Sequence, residues 1–197
     1  MPEKSTRLVR LSEIAATPWK NGGGVTREIA TGARPDGKPG WGWRVSLADV
    51  TQDGPFSIFP ETDRVIAVIE GAGMDLMRPD GTTLALESFL PVSFAGEDAF
   101  QGRLRDGAVR DLNVMVLRAH FAAEMVIRQG PSSFDVETGK AGCLVVHCLA
   151  GRCSVGPGDA KSRDLHPAES LIHEGPGIFH LTIASGSRAA VIRILRR

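Results

Sequence analysis

Turn residues are spread through this chain so evenly that long helices have nowhere to form. Glycine and proline together supply 23 + 12 = 35 of the 197 residues, about 18% against roughly 12% on average. The longest stretch free of both, residues 108–129, is rich in Val, Leu and Met. It reads as two strands meeting around Ala119–Ala123 rather than as one helix. Elsewhere short apolar or alternating runs lie between turn signals: Val25–Ala30, Trp43–Val50, Val65–Glu70, Leu84–Leu86, Leu112–Leu117, Cys143–Leu149, Ile178–Ala184 and Ala189–Leu195. Helix signals are confined to single turns at Ser12–Ala16 and Pro167–Ser170. Many short strands with such punctuation predict an all-β sandwich or barrel.

A faint internal repeat sharpens that expectation. Arg64–Gly71 aligns with Leu144–Gly151 at an offset of 80, and Val114–Arg118 aligns with Ile192–Arg196 at an offset of 78. Phe56 and Phe134, ahead of the two apolar strands, also differ by 78. Two copies of roughly 65 residues, about 55–118 and 133–196, would each supply half of the core. An apolar strand ending in a Leu/Ile-x-Gly turn, twice over, resembles the cupin barrel. The expected architecture is therefore a bicupin: two small antiparallel barrels packed as one compact unit. Residues 1–120 form the first, completed by the N-terminal 54 residues, and residues 121–197 form the second.

Composition bounds the function. Hydrophobic residues are 42% and charged residues 23% of the chain, which excludes disorder and coiled coils. A chain of this size buries about 70% of its surface on folding, enough for a core without staples. Lys+Arg and Asp+Glu are both 23, so no global field favours nucleic acid or an anionic membrane. No apolar run approaches the length of a membrane span, and the N-terminus leads into no signal-peptide core. A cytoplasmic location is expected. Cys143, Cys148 and Cys153 follow at five-residue intervals, neither a disulfide framework nor a CxxC pair. They read as reduced, partly buried thiols, and on one strand the odd spacing turns neighbours to opposite faces.

Metal-binding cupins carry a His-x-His pair, a following Glu and a later His, which cluster around an open metal position. This chain has no His-x-His, and no histidine precedes His120. Glu174–His180 is loosely similar to the second cupin motif, but His166, His173 and His180 share no helix face because Pro167 and Pro176 interrupt them. No metal and no cofactor are expected.

Four segments carry the unusual chemistry. In Pro18–Ile29 three consecutive glycines follow Lys20, the wrong order for a phosphate loop. They suit either a tight bend anchored by Trp19 or a ligand-facing loop. In Trp43–Val50 the alternation puts Trp43, Val45 and Leu47 on one face and Arg44, Ser46 and Ala48 on the other. That polar face either meets solvent or lines a barrel cavity. In Asp53–Arg64, Arg64 stands at the mouth of an apolar strand. If buried, its guanidinium needs a carboxylate: Asp49, Asp63 or Asp111 from within, or a bound acid held bidentately. In Arg110–Met115, period two places Asp111, Asn113 and Met115 on one face, where neutral Asn113 can orient a small polar ligand.

Taken together, these segments closely resemble the HutD/Ves family. The matching text is Pro18-Trp-Lys-Asn-Gly-Gly-Gly with Thr26, Arg27 and Glu28, then Gly42-Trp-Arg-Val-Ser-Leu-Ala-Asp49, Gly54 with Phe56-Ser-Ile-Phe59, Asp63-Arg64, Glu70-Gly71-x-Gly73-Met74 and Asp111-Leu-Asn-Val-Met115. The match covers residues 8–118 well and thins over 119–197. The resemblance implies a bicupin whose first barrel holds the pocket, without the usual cupin metal site, and an association with histidine utilisation in a regulatory role. Its implied ligand is a small carboxylate or formylated intermediate such as formylglutamate, urocanate or formate. Arg64 is the lead anion binder; Arg44, Ser46, Asn21, Thr26 and Asn113 are the candidate pocket neighbours.

Three functional classes follow. The first is a non-catalytic small-acid-binding protein. The second is a cupin isomerase or hydrolase in which Arg64 fixes a carboxylate and Glu28 or Asp111 serves as base; no catalytic residue is assigned. The third is a protein-binding regulator with a vestigial pocket. The binding protein is the expected class, with a small carboxylate as partner, neither nucleic acid nor membrane, and a homodimer compatible with the fold analogy.

Overall fold

The computed structural model describes residues 5–139, 142–158 and 161–197. Nineteen strands and one 3-10 turn, Leu11–Glu13, account for its regular structure. The strands run β1 (Ser5–Arg10), β2 (Thr17–Pro18), β3 (Gly24–Ala33), β4 (Trp41–Val50), β5 (Gly54–Pro55), β6 (Thr62–Glu70), β7 (Met74–Met77), β8 (Thr83–Leu86), β9 (Val92–Ala95), β10 (Gln101–Leu104) and β11 (Val109–Leu117). They continue as β12 (Phe121–Gln129), β13 (Ser132–Glu137), β14 (Cys143–Ala150), β15 (Cys153–Pro157), β16 (Arg163–Leu165), β17 (Glu169–Glu174), β18 (Ile178–Ile183) and β19 (Arg188–Arg196). All eight apolar runs singled out in the sequence are strands. The glycine-free stretch breaks at Arg118–His120 between β11 and β12, as its two-strand reading requires.

The chain divides into two units, Ile14–Phe121 and Ala122–Arg197 joined by the N-terminal segment through Glu13. The first contains the sheets β2-β3-β4-β11-β6-β9 and β5-β10-β7-β8. Between them lies a core of Ala48, Val50, Ile66, Val68, Met74, Leu76 and their neighbours. The second contains the sheets β1-β17-β14-β19-β12 and β13-β18-β15-β16, around Leu144, Val146, Val155, Leu171, Phe179 and Leu181. Strand orders β4-β11-β6-β9 and β12-β19-β14-β17 correspond, as do β5-β10-β7-β8 and β13-β18-β15-β16. The repeat is thus real. It begins earlier than its sequence trace, at β4 and β12, because those strands keep the pairing but not the residue identities.

One expectation needs correcting. The first barrel does not hold all of residues 1–120 as expected, because β1 pairs antiparallel with β17, Leu8 opposite Leu171. Leu8 packs on the second core, so Ser5–Glu13 belong to the second unit. Nothing local in Ser5–Arg10 names its partner strand, since pairing across more than 160 residues is decided only when both surfaces exist. Among the described residues no helix is long and apolar enough to cross a membrane.

The cysteines are reduced and buried. Cys148 and Cys153 belong to the second core while Cys143, five residues earlier on β14, does not, consistent with opposite faces. Burial pushes the Cys143 thiol up to about 12, so it is inert as a nucleophile.

Candidate functional site

The six-stranded sheet of the first unit is buried on both faces along β4, β6 and β11. Its barrel-facing side carries polar residues in register. Met115 stands opposite Arg44 on one side and Arg64 on the other, and Arg64 is opposite Phe94. Next along β11, Asn113 lies between Ser46 and Ile66, then Asp111 between Ala48 and Val68. The polar face of Trp43–Val50 is therefore not a solvated face: Ser46 is only 3% exposed. Arg64, Arg44, Ser46 and Asn113, four of the six sequence-predicted residues, meet on one wall.

Arg64 is the centre of this arrangement. It is 5% exposed, and its guanidinium carbon lies 5.5, 5.6 and 5.0 Å from the ring centres of Phe56, Phe59 and Phe94. Three ring faces stabilise a desolvated cation, but they accept none of its hydrogen bonds in the plane of the guanidinium. Among the described residues no carboxylate reaches it within ion-pair distance. Asp49 is taken by Arg27 and Arg110 at 2.6 Å each, and Asp63 bonds Arg118 at 2.9 Å. Asp111 is the strongest charge acting on Arg64, and Arg64 the strongest acting on Asp111. Burial, opposed by Asp111 and aided by Arg44, lowers Arg64 to about 10. Burial likewise pushes the Asp111 carboxyl up to about 7, against the pull of Arg64.

The wall is short of partners. Arg64 Nε, Arg44 Nε, Asp111 Oδ1 and Asn113 Oδ1 are all buried without a hydrogen bond. Arg44 Nε stands 3.3 Å from Glu28 Oε2, close enough to feel the charge but not aligned to bond it. Native interiors pair nearly all such atoms, and each unpaired one costs roughly 1–3 kcal/mol. Two donors and two acceptors thus stand unpaired on adjacent strands of one wall.

The remaining two predicted residues do other work. Thr26 Oγ1 accepts a hydrogen bond from Trp19 Nε1 at 2.7 Å. Asn21 Oδ1 accepts one from the Gly23 amide at 3.1 Å, closing the bend at Gly22, whose φ is +72°. A Cβ on Gly24 would clash with the Asp49 carbonyl and lie 3.2 Å from the Trp19 ring. The glycine block is thus the tight bend anchored by Trp19. A cleft of about 280 Å3, open mouth included, lies here and is lined by Trp19, Asn21, Val50, Phe56 and Leu104 among others. Val50 is six residues along β4 from Arg44, roughly 20 Å, and Phe56 is the wall that the cleft shares with the Arg64 cage. The orphaned polar atoms, rather than the cleft, mark the chemistry, because an apolar opening demands no particular ligand.

Sequence reasoning missed the aromatic cage and understated Asp111. Phe56 and Phe59 stood in the quoted motif, but nothing local indicates that Phe94 is the cross-strand neighbour of Arg64. The histidines do not converge: His147 bonds Ser170, His173 bonds Thr6, and His180 bonds Asp135 and Ser133. Among the described residues no group of three His, Cys, Asp or Glu is placed to hold a metal. In the second barrel the register equivalents of Arg64, Asn113 and Asp111 are Leu144, Val191 and Ala189, all in the apolar core. The duplication kept the fold twice and the polar wall once.

A family model described as HutD matches residues 11–191. The chain belongs to the HutD family. It is 36% identical over 126 residues to an uncharacterised 21.2 kDa protein from the hutC 3' region of Pseudomonas putida, covering 64% of this chain and 66% of that one. Protein Ves of Citrobacter koseri is 32% identical over 139 residues, 70% of each chain. Among solved structures, HutD from Pseudomonas fluorescens SBW25, in a formate condition, has a TM-score of 0.84 at 30% identity, covering 98% of this chain and 100% of that one. A cupin barrel protein from Leptotrichia buccalis, at 11% identity and a TM-score of 0.58, shares the fold alone. This HutD-family member is accordingly an all-β bicupin.

Proposed function

We propose that this HutD-family chain binds a small carboxylate without a metal, through Arg64 with Arg44, Ser46 and Asn113 around it, and that the binding serves a regulatory role in histidine utilisation. The observation that carries the reading is the buried Arg64 guanidinium, which has no hydrogen bond or ion pair among the described residues. An unpaired buried charge costs several kcal/mol. A bidentate carboxylate supplies the missing in-plane acceptors, while the three phenylalanines exclude water from the pair. The origin of one relative in a hutC 3' region supports the metabolic context, and candidate ligands are formylglutamate, urocanate and formate.

The test is thermal unfolding in EDTA against formate, N-formylglutamate, urocanate, glutamate and histidine, with Arg64→Ala beside the unaltered chain. A ligand at 100 times its Kd adds about 2.7 kcal/mol, roughly 5–10 °C in Tm for a chain of this size. A selective shift lost in Arg64→Ala is expected. No shift with any acid, in a folded protein, overturns the reading.

A second reading, a cupin enzyme acting on a small carboxylate, draws on Asp111. A carboxyl raised to about 7 is matched to general-base work near neutral pH. Following the shifting acid by NMR for a new product separates the two: turnover lost in Asp111→Asn favours the enzyme, and an unchanged acid favours binding alone.

A further inference from the structure

The acid anchor explains only half of the unpartnered wall. Arg64 Nε and Arg44 Nε are donors, but Asp111 Oδ1 and Asn113 Oδ1 are acceptors, equally buried and equally without a bond. A bare carboxylate satisfies the first pair and leaves the second. From the row of Arg44, Met115 and Arg64, Asn113 is two residues along β11 and Asp111 four, about 7 and 13 Å at the backbone. Long arginine side chains shorten those gaps. A ligand that satisfied all four atoms would have to present two different groups to the two ends of the wall.

We propose that Asp111 is the specificity-determining residue of this site: ionised, it requires a hydrogen-bond donor at the far end of the bound acid, and protonated, it admits a second acceptor there. The inference rests on the carboxylate-binding reading and goes beyond it. An ionised carboxylate only accepts, whereas its protonated form carries one donor. A ligand carboxylate facing ionised Asp111 places like charges together in a dry site. Asp111 is 2% exposed, so neither water nor salt relieves that clash. Asn113, between Asp111 and the arginine row, carries an amide that adapts to either kind of group.

The charged groups around Asp111 are few. From β6 comes Arg64, itself influenced by Arg44 on β4, and from β4 comes Asp49, acting from the other face and held by Arg27 and Arg110. Glu28 on β3 is spent beside Arg44. Across the barrel the core residues Met74, Leu76, Leu86 and Phe100 carry no charge. Burial, against the pull of Arg64, raises the Asp111 carboxyl to about 7, so both forms are within experimental reach.

The experiment compares 4-aminobutyrate with glutarate. They share a chain length and one carboxylate, but one ends in an ammonium donor and the other in a carboxylate acceptor. Neither titrates appreciably between pH 6.5 and 8.5. Calorimetric Kd values on the unaltered chain are expected to show glutarate gaining on 4-aminobutyrate by roughly tenfold or more as the pH falls across that range, since the competent fraction multiplies the affinity. At pH 7, runs in buffers of different ionisation heat are expected to give proton uptake with glutarate and proton release with 4-aminobutyrate. Asp111→Asn is expected to flatten the pH dependence while retaining the acid site. If that variant does not fold, the proton counts on the unaltered chain decide alone. Binding of both probes with a pH-independent ratio, or proton exchange of one sign, overturns the role of Asp111 and leaves the carboxylate site standing. Failure of both probes to bind a chain that binds an acid in the thermal assay overturns the role of Asp111 alone, and failure of every acid in that assay overturns both.

Discussion

Arg64→Met is the substitution that best separates a ligand-binding guanidinium from a structural one. Methionine keeps the unbranched stem and places a thioether among Phe56, Phe59 and Phe94, where sulfur–aromatic contacts return about 0.3–1.5 kcal/mol. Burial lowers Arg64 from 12.5 to about 10, a penalty on the charged form of roughly 3 kcal/mol at 1.36 kcal/mol per unit. That penalty disappears in the variant. Lost with it are three cation–π contacts, together about 2–3 kcal/mol at these distances. At pH 6 Asp111, raised to about 7, is mostly neutral and does not miss its cation. The contributions offset, so the variant is expected within about 1 kcal/mol of the unaltered protein, or about 3 °C in Tm. Breaking a satisfied buried ion pair instead costs about 3–5 kcal/mol. The assay is urea and thermal unfolding at pH 6, with and without the best-binding acid. The ligand shift is expected to vanish while apo stability holds. A loss above 3 kcal/mol in the apo protein refutes the reasoning and makes Arg64 a structural cation.

Asp111→Asn changes stability in a pH-dependent way. A carboxyl raised in the fold from 3.8 to about 7 holds its proton longer folded than unfolded. Its stabilisation is full below pH 4 and is lost as pH rises to about 7, at about 1.4 kcal/mol per unit. The variant is expected to match the unaltered protein near pH 4.5 and exceed it by roughly 2–4 kcal/mol at pH 8; parallel pH profiles of the urea midpoint would contradict this. Thr26→Val removes the acceptor of the Trp19 indole N–H at about 1–2 kcal/mol, and is expected to shift Trp19 emission while leaving acid binding within twofold. Asn21→Ala opens the bend at Gly23 for about 1 kcal/mol or less. An acid-induced Tm shift that falls with it would return Asn21 to the ligand site.

The glycine and proline spacing, the period-two alternation and the apolar runs sufficed for an all-β repeat, because strand and turn preferences are set by sterics within a few residues. The same locality put Arg44 and Ser46 on one face of β4, and Asp111 and Asn113 on one face of β11, and the motif text named the family. Three things were decided only by tertiary structure. The partner of β1 lies in the second unit, a pairing that no segment of the chain encodes alone. Thr26 and Asn21, polar and well placed by sequence, spend their oxygens on Trp19 and Gly23; hydrogen-bond capacity is visible in a side chain, but its use depends on what packs beside it. Arg64 had three internal carboxylates to choose from, and the fold gave Asp49 and Asp63 to other arginines while sealing Asp111 into the wall. Whether a charge is paired is a property of three-dimensional distance and desolvation, and neither quantity exists along the chain.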